Sequence, residues 1–278
     1  MPSISLEDVV NIPYEEVARG IEEFIKSKVD EAGASGVVLG VSGGVDSATT
    51  LFLAVKALGP ERVRPLIMPD SSVTPQEDVE DAKMLVDMVG ASAHLINIEP
   101  IVAVYKSTIP IYESDEADRL PLGNLRARIR MCLLYYYANK NNLLVLGTGD
   151  RSEILIGYFT KYGDGAVDVL PIGILYKTQV RRLAKTLGVP ERVAFKPSSP
   201  RLWPGQTAEG ELGVSYEEVD LVLHAVFDRG VPWEEVPAVT GVDARKVQRI
   251  RELHERSHHK RNPPPTPPLE IVSRYYKR

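Results

Sequence analysis

The sequence predicts an α/β fold, a doubly wound parallel sheet flanked by helices. Three observations lead there. Four apolar runs, Val37–Val41, Val63–Met68, His94–Ile98 and Leu143–Leu146, have the length of buried strands. Helical patterns at about 45–58, 77–89 and 122–140 separate them, and strands alternating with helices imply parallel pairing. The polar loops SGGVDS, MPDSSVTP and GTGDRSE follow predicted strand ends, the edge where such sheets place their ligands.

Ahead of the first strand, Val17, Ile21, Ile25 and Val29 recur four apart beside Phe24, which predicts an amphipathic helix over 14–32 with Gly33 as its stop. Beyond the sheet, YFTKYGDGAVDVLPIGILYKT is rich in Gly and aromatic residues with little periodicity, so it reads as an ordered functional loop. KPSSPRLWPGQTAEGELG reads as a second one. Helical patterns resume at 177–187, 215–229 and 243–260, and NPPPTPPLEIVSRYYKR is a proline-rich tail expected to be partly extended. One domain over 1–262, with a tail at 263–278, is the organisation expected.

With 278 residues and 44% hydrophobic content, the chain can bury one good-sized core. A net charge of −5 disfavours nucleic acid as the principal partner. The lone cysteine, Cys132, sits in the apolar stretch RMCLLYYYA and reads as a packed thiol, able to form neither an internal disulfide nor a metal cluster alone. No basic flank leads into an apolar run at the start, and no stretch approaches the ~20 apolar residues of a membrane span. A cytoplasmic location and no membrane contact are therefore expected.

The first strand runs straight into Ser42-Gly43-Gly44-Val45-Asp46-Ser47, with a helix following. Two glycines permit a tight turn that aims N–H groups at an anion, and the helix N-terminus adds its dipole. No lysine is present in the loop, unlike a Walker A motif. Asp46 would repel phosphate unless a cation lay between them, so it reads as a magnesium ligand; the plainer alternative has Asp46 and Ser47 capping the next helix. The loop resembles the SGG-x-DS signature of the pyrophosphate-loop ATPases, whose members cleave ATP between the α and β phosphates. That resemblance implies an adenine nucleotide α-hydrolase-like sheet.

A longer match narrows the branch. Gly147-Thr148-Gly149-Asp150-Arg151-Ser152-Glu153, then Gly157-Tyr158-Phe159-Thr160-Lys161-Tyr162-Gly163-Asp164-Gly165 and Asp168, resemble the NAD synthetase signature of GT followed by E, then GFFTKYGDG and D. Asn124–Met131 and Ser257–Arg261 add support, and the likeness spans roughly residues 15–262. Thiolating branches need further cysteines, and a fused glutaminase needs a nucleophilic cysteine and a much longer chain, so ammonia is the expected nitrogen donor.

The resemblance implies ATP contacts from Gly40, Val41, the loop Ser42-Gly43-Gly44-Val45-Asp46-Ser47, Thr148, Lys177 and Ser199. Ser199 stands where the family usually has threonine. It implies Mg²⁺ on Asp46 and Glu153, deamido-NAD contacts from Arg128, Lys161, Asp168, His259 and Lys260, and a catalytic set of Asp46, Lys177 and Asp168. On residue chemistry alone, Glu153 could be a first-turn helix acid, Lys177 a solvated helix-start lysine and Arg128 a surface arginine. The implied reaction is ATP-dependent amidation of deamido-NAD through an NAD-adenylate, in a homodimer, with residues 196–213 as a lid. Two competing readings are a non-catalytic ATP sensor and a nucleic-acid reader, the latter resting on a helix–turn–helix rhythm with seven Lys/Arg against three Asp/Glu over 243–261.

Overall fold

A computed structural model describes residues 4–276. In chain order the elements are α1 (Leu6–Val10), α2 (Tyr14–Glu31), β1 (Gly36–Gly40), α3 (Val45–Leu58), β2 (Val63–Ile67), α4 (Gln76–Met88), β3 (His94–Leu95), α5 (Glu99–Thr108), α6 (Arg119–Asn141), β4 (Leu143–Val145), α7 (Arg151–Ile156), α8 (Lys177–Leu187), α9 (Glu191–Ala194), α10 (Ala208–Leu212), α11 (Tyr216–Phe227), α12 (Val236–Thr240), α13 (Ala244–Arg256), α14 (His258–Arg261) and α15 (Glu270–Ser273). The strands lie in the order β3-β2-β1-β4, all parallel. The chain leaves β1 towards β2 and later returns to the other side of β1 as β4. The crevice between the β1 and β4 exits is thus the topological switch point.

Alternation along β1 divides the interior. Val37 and Leu39 face a cluster shared with α2, α3 and α8, where Ile25 and Val29 are 0% exposed. Val38 faces a second cluster with Leu66, Ile98, Val145 and Ile129 of α6. Each fully buried Ile or Val of the α2 stripe contributes roughly 1.5–3 kcal/mol relative to an exposed one. A third apolar cluster joins α1, α10, α11, α12 and α13, so the C-terminal helices bury their own faces against one another rather than adding to the sheet core.

The structure differs from the expected elements in several places: α1, α7, α9, α10 and α12 are short helices the pattern does not predict, and Cys132, read as a packed thiol, is exposed on α6. β3 is two residues long rather than five, because it is the sheet edge and its Leu95 is 53% exposed; Ile96 and Ile98 still donate to the carbonyls of Ile67 and Pro69 at 2.8 Å. α5 gave no periodic signal since Val102 alone is buried on it. The tail contains one helical turn, α15, within residues otherwise extended.

Candidate active site

At the end of β1, Val41 N–H donates to Leu66 O at 2.9 Å, carrying the extended chain to the edge before it turns. Gly43 makes the turn at φ 80°, and a Cβ there would lie 2.3 Å from Asp78 O, so glycine is required both by conformation and by space. Gly44 is the N-cap of α3 and offers no side-chain cap, leaving the first N–H groups of the helix for an anion. Neither alternative capping role holds. The Ser47 hydroxyl ties the loop together, accepting from Ser42 N–H and donating to Gly44 O, each at 3.1 Å, and Asp46 turns elsewhere.

Asp46 meets Lys177. The Lys177 ammonium is 0% exposed and lies 2.7 Å from Asp46 Oδ2, 2.9 Å from Asp150 Oδ2 and 2.9 Å from Glu153 Oε1. A capping box builds the second half of this cluster: Asp150 Oδ1 accepts Glu153 N–H at 2.8 Å, and Glu153 Oε2 accepts Asp150 N–H at 3.3 Å. Glu153 is therefore a first-turn acid and a site residue at once, and Lys177 is not a solvated lysine. Burial alone would lower Lys177, but the three carboxylates outweigh it and hold the ammonium well above its ordinary range. Burial pushes Asp150 up and Glu153 well up, against the pull of Lys177. Three carboxylates around one ammonium leave a formal charge of −2, and Asp46 Oδ1 is buried with no partner.

A cavity of about 550 Å³ opens beside this cluster, lined by Gly40–Ser47, Thr148, Glu153, Ser199 and Lys260. Its size suits a nucleotide-sized ligand. The loop expected as a lid crosses its mouth and is cross-linked there. Lys196 pairs with Asp78 at 2.6 Å and Asp81 at 2.8 Å, Arg201 with Asp78 at 2.8 Å, and Arg126 donates to Leu202 O at 2.9 Å. Arg126 is itself fixed by a buried pair with Asp70 at 2.6 Å; burial pushes that carboxyl up, and the bonds from Arg126 and Ser72 more than offset it. The Ser199 hydroxyl lines the cavity but donates to Gln206 O at 2.6 Å.

The dinucleotide set assembles only partly. Lys260 reaches the cavity, donating to Gly157 O at 2.8 Å and Phe159 O at 2.6 Å. Gly157 permits this approach: at φ 69°, a Cβ would sit 2.0 Å from the Ser257 Cβ. Arg128, Lys161 and His259 form an outer chain, Arg128 donating to Lys161 O at 3.2 Å and Lys161 to His259 O at 2.6 Å. Asp168, expected beside Asp46 and Lys177, does not join them. It caps the sheet edge instead, accepting Val145 N–H at 2.8 Å and the Tyr135 hydroxyl at 3.0 Å, because the bridge from Leu146 to Val169 sets it outside the β4 exit.

Sequence reasoning missed Asp150, although its spacing to Glu153 is the capping-box signal that would have found it. The basic C-terminal helices are largely engaged internally: Lys246 pairs with Glu218, Arg251 with Glu234 and Glu255, and Arg261 donates to backbone carbonyls. No helix among the described residues is long and apolar enough to cross a membrane.

A family model described as NAD synthase matches residues 17–264. The NH3-dependent NAD(+) synthetase of Aeropyrum pernix is 58% identical over 274 residues, covering 99% of this chain and 96% of that protein. Among solved structures, an NMN synthetase from Francisella tularensis superposes with a TM-score of 0.81 at 36% identity, covering 92% of this chain and 99% of that one. An NH3-dependent NAD synthetase from Campylobacter jejuni, solved with a nitrate ion, gives 0.77 at 30% identity over 92% and 100%. With its phosphate loop, its lysine–carboxylate cluster and this likeness along nearly the whole length, the chain belongs to the NAD synthase family.

Proposed function

We propose that this chain joins ammonia to the nicotinate carboxylate of deamido-NAD through an adenylate, cleaving ATP to AMP and pyrophosphate. The observation that carries this reading is the meeting of Asp46, Asp150 and Glu153 at Lys177, beside a phosphate loop that has no lysine of its own. A free carboxylate is a poor electrophile with a very poor leaving group. Its oxygen attacks the α-phosphorus, the bond to the bridging oxygen of the β-phosphate breaks, and pyrophosphate leaves. Ammonia then adds to the activated carbonyl carbon, AMP departs, and a proton is released.

The loop N–H groups and the start of α3 receive the phosphates, and the Lys177 ammonium offsets charge that develops as pyrophosphate separates. Asp46 and Glu153 are the residues that would hold Mg²⁺. The excess negative charge and the partnerless Asp46 oxygen suit a divalent cation. The described residues offer no group of three His, Cys, Asp or Glu able to hold a metal alone, and Mg²⁺ commonly takes one or two carboxylates together with substrate phosphates. Bound there, it supplies Lewis-acid charge to the phosphate oxygens. Thr148 and Ser199 contact ATP, and the lid keeps water from the adenylate. Arg128, Lys161, His259 and Lys260 bind deamido-NAD, whose pyrophosphate the charges of Arg128, Lys161 and Lys260 match, and Asp168 orients it from the sheet edge. Residues 1–262 act as one catalytic domain, with 263–278 an appended tail.

The active form is a homodimer. α5 and α6 leave Val104, Tyr105, Leu120 and Tyr136 between 45% and 64% exposed, an apolar set that a second copy would cover. Sedimentation at micromolar concentration is expected to give twice 30.7 kDa, and a monomer would count against the dimer.

The primary test incubates the purified chain with ATP, Mg²⁺, ammonium and deamido-NAD and follows NAD, AMP and pyrophosphate together. Equal release of all three, absent without deamido-NAD, is expected. AMP formation only with the corresponding mononucleotide acceptor would overturn the substrate, and no ATP cleavage under any condition would overturn the enzymatic reading.

A further inference from the structure

Lys177 is approached from behind, on the side away from the cavity, by α11. Two side chains four apart on one face of that helix, Tyr216 and Asp220, both 0% exposed, meet Lys177 and its neighbours Ser152 and Thr178. One Asp220 oxygen accepts the Ser152 hydroxyl at 2.5 Å, and the other accepts the backbone N–H of Thr178 at 2.8 Å. The Ser152 oxygen in turn accepts the backbone N–H of Lys177 itself at 2.9 Å. The first N–H groups of a helix have no partner within it, and Tyr176, the N-cap of α8, supplies no side-chain hydrogen bond. α11 and α7 therefore satisfy the start of α8 together. The Tyr216 ring lies 5.1 Å from the Lys177 ammonium, and its buried hydroxyl makes no hydrogen bond, so the ring is the part of the side chain that matters there.

The recorded partners of the buried Asp220 carboxylate are a hydroxyl and a backbone N–H rather than a cation, and burying such a carboxylate is costly. A leucine would fill the same space more cheaply if packing were the only demand. What Asp220 does that leucine would not is fasten Ser152, next to Glu153, to the two residues that open α8.

We propose that Asp220 is a positioning residue for the reaction, and that Tyr216 is the aromatic rest against which Lys177 is held. Through Ser152 and the Thr178 N–H, Asp220 fixes the distance between α7 and α8, and thereby the meeting of Lys177 with Asp46, Asp150 and Glu153. This rests on the reading of Lys177 as the cation that assists ATP cleavage.

The test measures pyrophosphate release, ATP KM and thermal midpoint for the wild-type chain, Asp220→Asn, Tyr216→Phe, Tyr216→Leu and Lys177→Ala, and for Asp220→Asn combined with Lys177→Ala. Wild-type pyrophosphate release with any acceptor keeps the reading of the site; its absence fails that reading, not the positioning argument. In Asp220→Asn the amide keeps one oxygen for the Thr178 N–H but leaves the Ser152 hydroxyl without its acceptor, and kcat is expected to fall about ten- to a hundredfold with ATP KM little changed, the scale of a small misplacement of a reacting group. Tyr216→Phe should match wild type and Tyr216→Leu should fall about tenfold, as loss of a desolvated cation–aromatic contact would give. In the Lys177→Ala background, Asp220→Asn should lower the residual rate no further. An unchanged kcat in Asp220→Asn, or the same fold loss with and without Lys177, would overturn the proposal. Should Asp220→Asn not fold, the Tyr216 pair and Ser152→Ala, expected to lower kcat with ATP KM unchanged, decide it.

Discussion

The two ends of the site are built differently. At the phosphate end, Lys177 is 0% exposed and is tied by its side chain to three carboxylates. At the dinucleotide end, Arg128 and Lys161 rest on backbone carbonyls, and Arg128 and His259 are exposed. A cation committed to carboxylates is held in place before any ligand arrives. A cation parked on a carbonyl keeps its full charge for an anionic substrate and leaves its carbonyl at little cost. The first end is held in place by its own ion pairs; the second is a set of loosely held cations that, on the proposed reading, receives the substrate.

The sharpest way to break this comparison is to remove the committed charges. Lys177→Ala and Asp46→Ala should each lower pyrophosphate release by at least about a hundredfold, the scale of losing a preorganised electrostatic group, while the fold persists by circular dichroism. Near-normal turnover in Asp46→Ala would remove its role in holding Mg²⁺. At the open end, Arg128→Ala and Lys161→Ala should raise the KM for deamido-NAD about tenfold, the effect of one charge-assisted contact, leaving the KM for ATP unchanged. Equal effects on both KM values would erase the distinction between the ends.

A subtler difference lies in pH. Burial raises the Asp220 carboxyl to about 7 from its ordinary 3.8. The folded chain therefore binds this proton more tightly than the unfolded chain, and the group's contribution to stability is present at low pH and declines as pH rises from about 4 to 7. Urea midpoints at pH 4.5 and 7.5 should show a smaller decline in Asp220→Asn than in wild type. The smallest effect is expected at the N-cap of the same helix. Ser215 caps α11, its hydroxyl accepting Glu218 N–H at 3.3 Å, so Ser215→Ala should cost about 1 kcal/mol of stability and leave pyrophosphate release unchanged.

Much of the phosphate end was legible in the sequence because its parts are local. An apolar strand, two glycines and a helix pattern occupy consecutive residues, and Asp150 with Glu153 obeys a three-residue rule. Tyr216 and Asp220 were invisible in this sense. Their spacing on α11 reads as ordinary core, and only their packing against α8, more than thirty residues upstream, gives them a target. Asp168 is the reverse case: the resemblance implies it in the catalytic set, and the bridge at Val169 places its carboxylate on the Val145 N–H, away from Lys177.

The sequence by itself determined the strand–helix alternation, the edge of the sheet that carries the loops, the anion-binding turn and the amidating family, since hydrophobic period, glycine placement and a long motif are properties of neighbouring residues. The tertiary structure decided that Lys177 lies among three carboxylates rather than in solvent, that the lid is pinned by Arg126, Lys196 and Arg201, and that the dinucleotide cations rest on carbonyls. These depend on which side chains of distant segments meet in a low-dielectric interior, where one ion pair or one unpaired carboxylate outweighs any local preference.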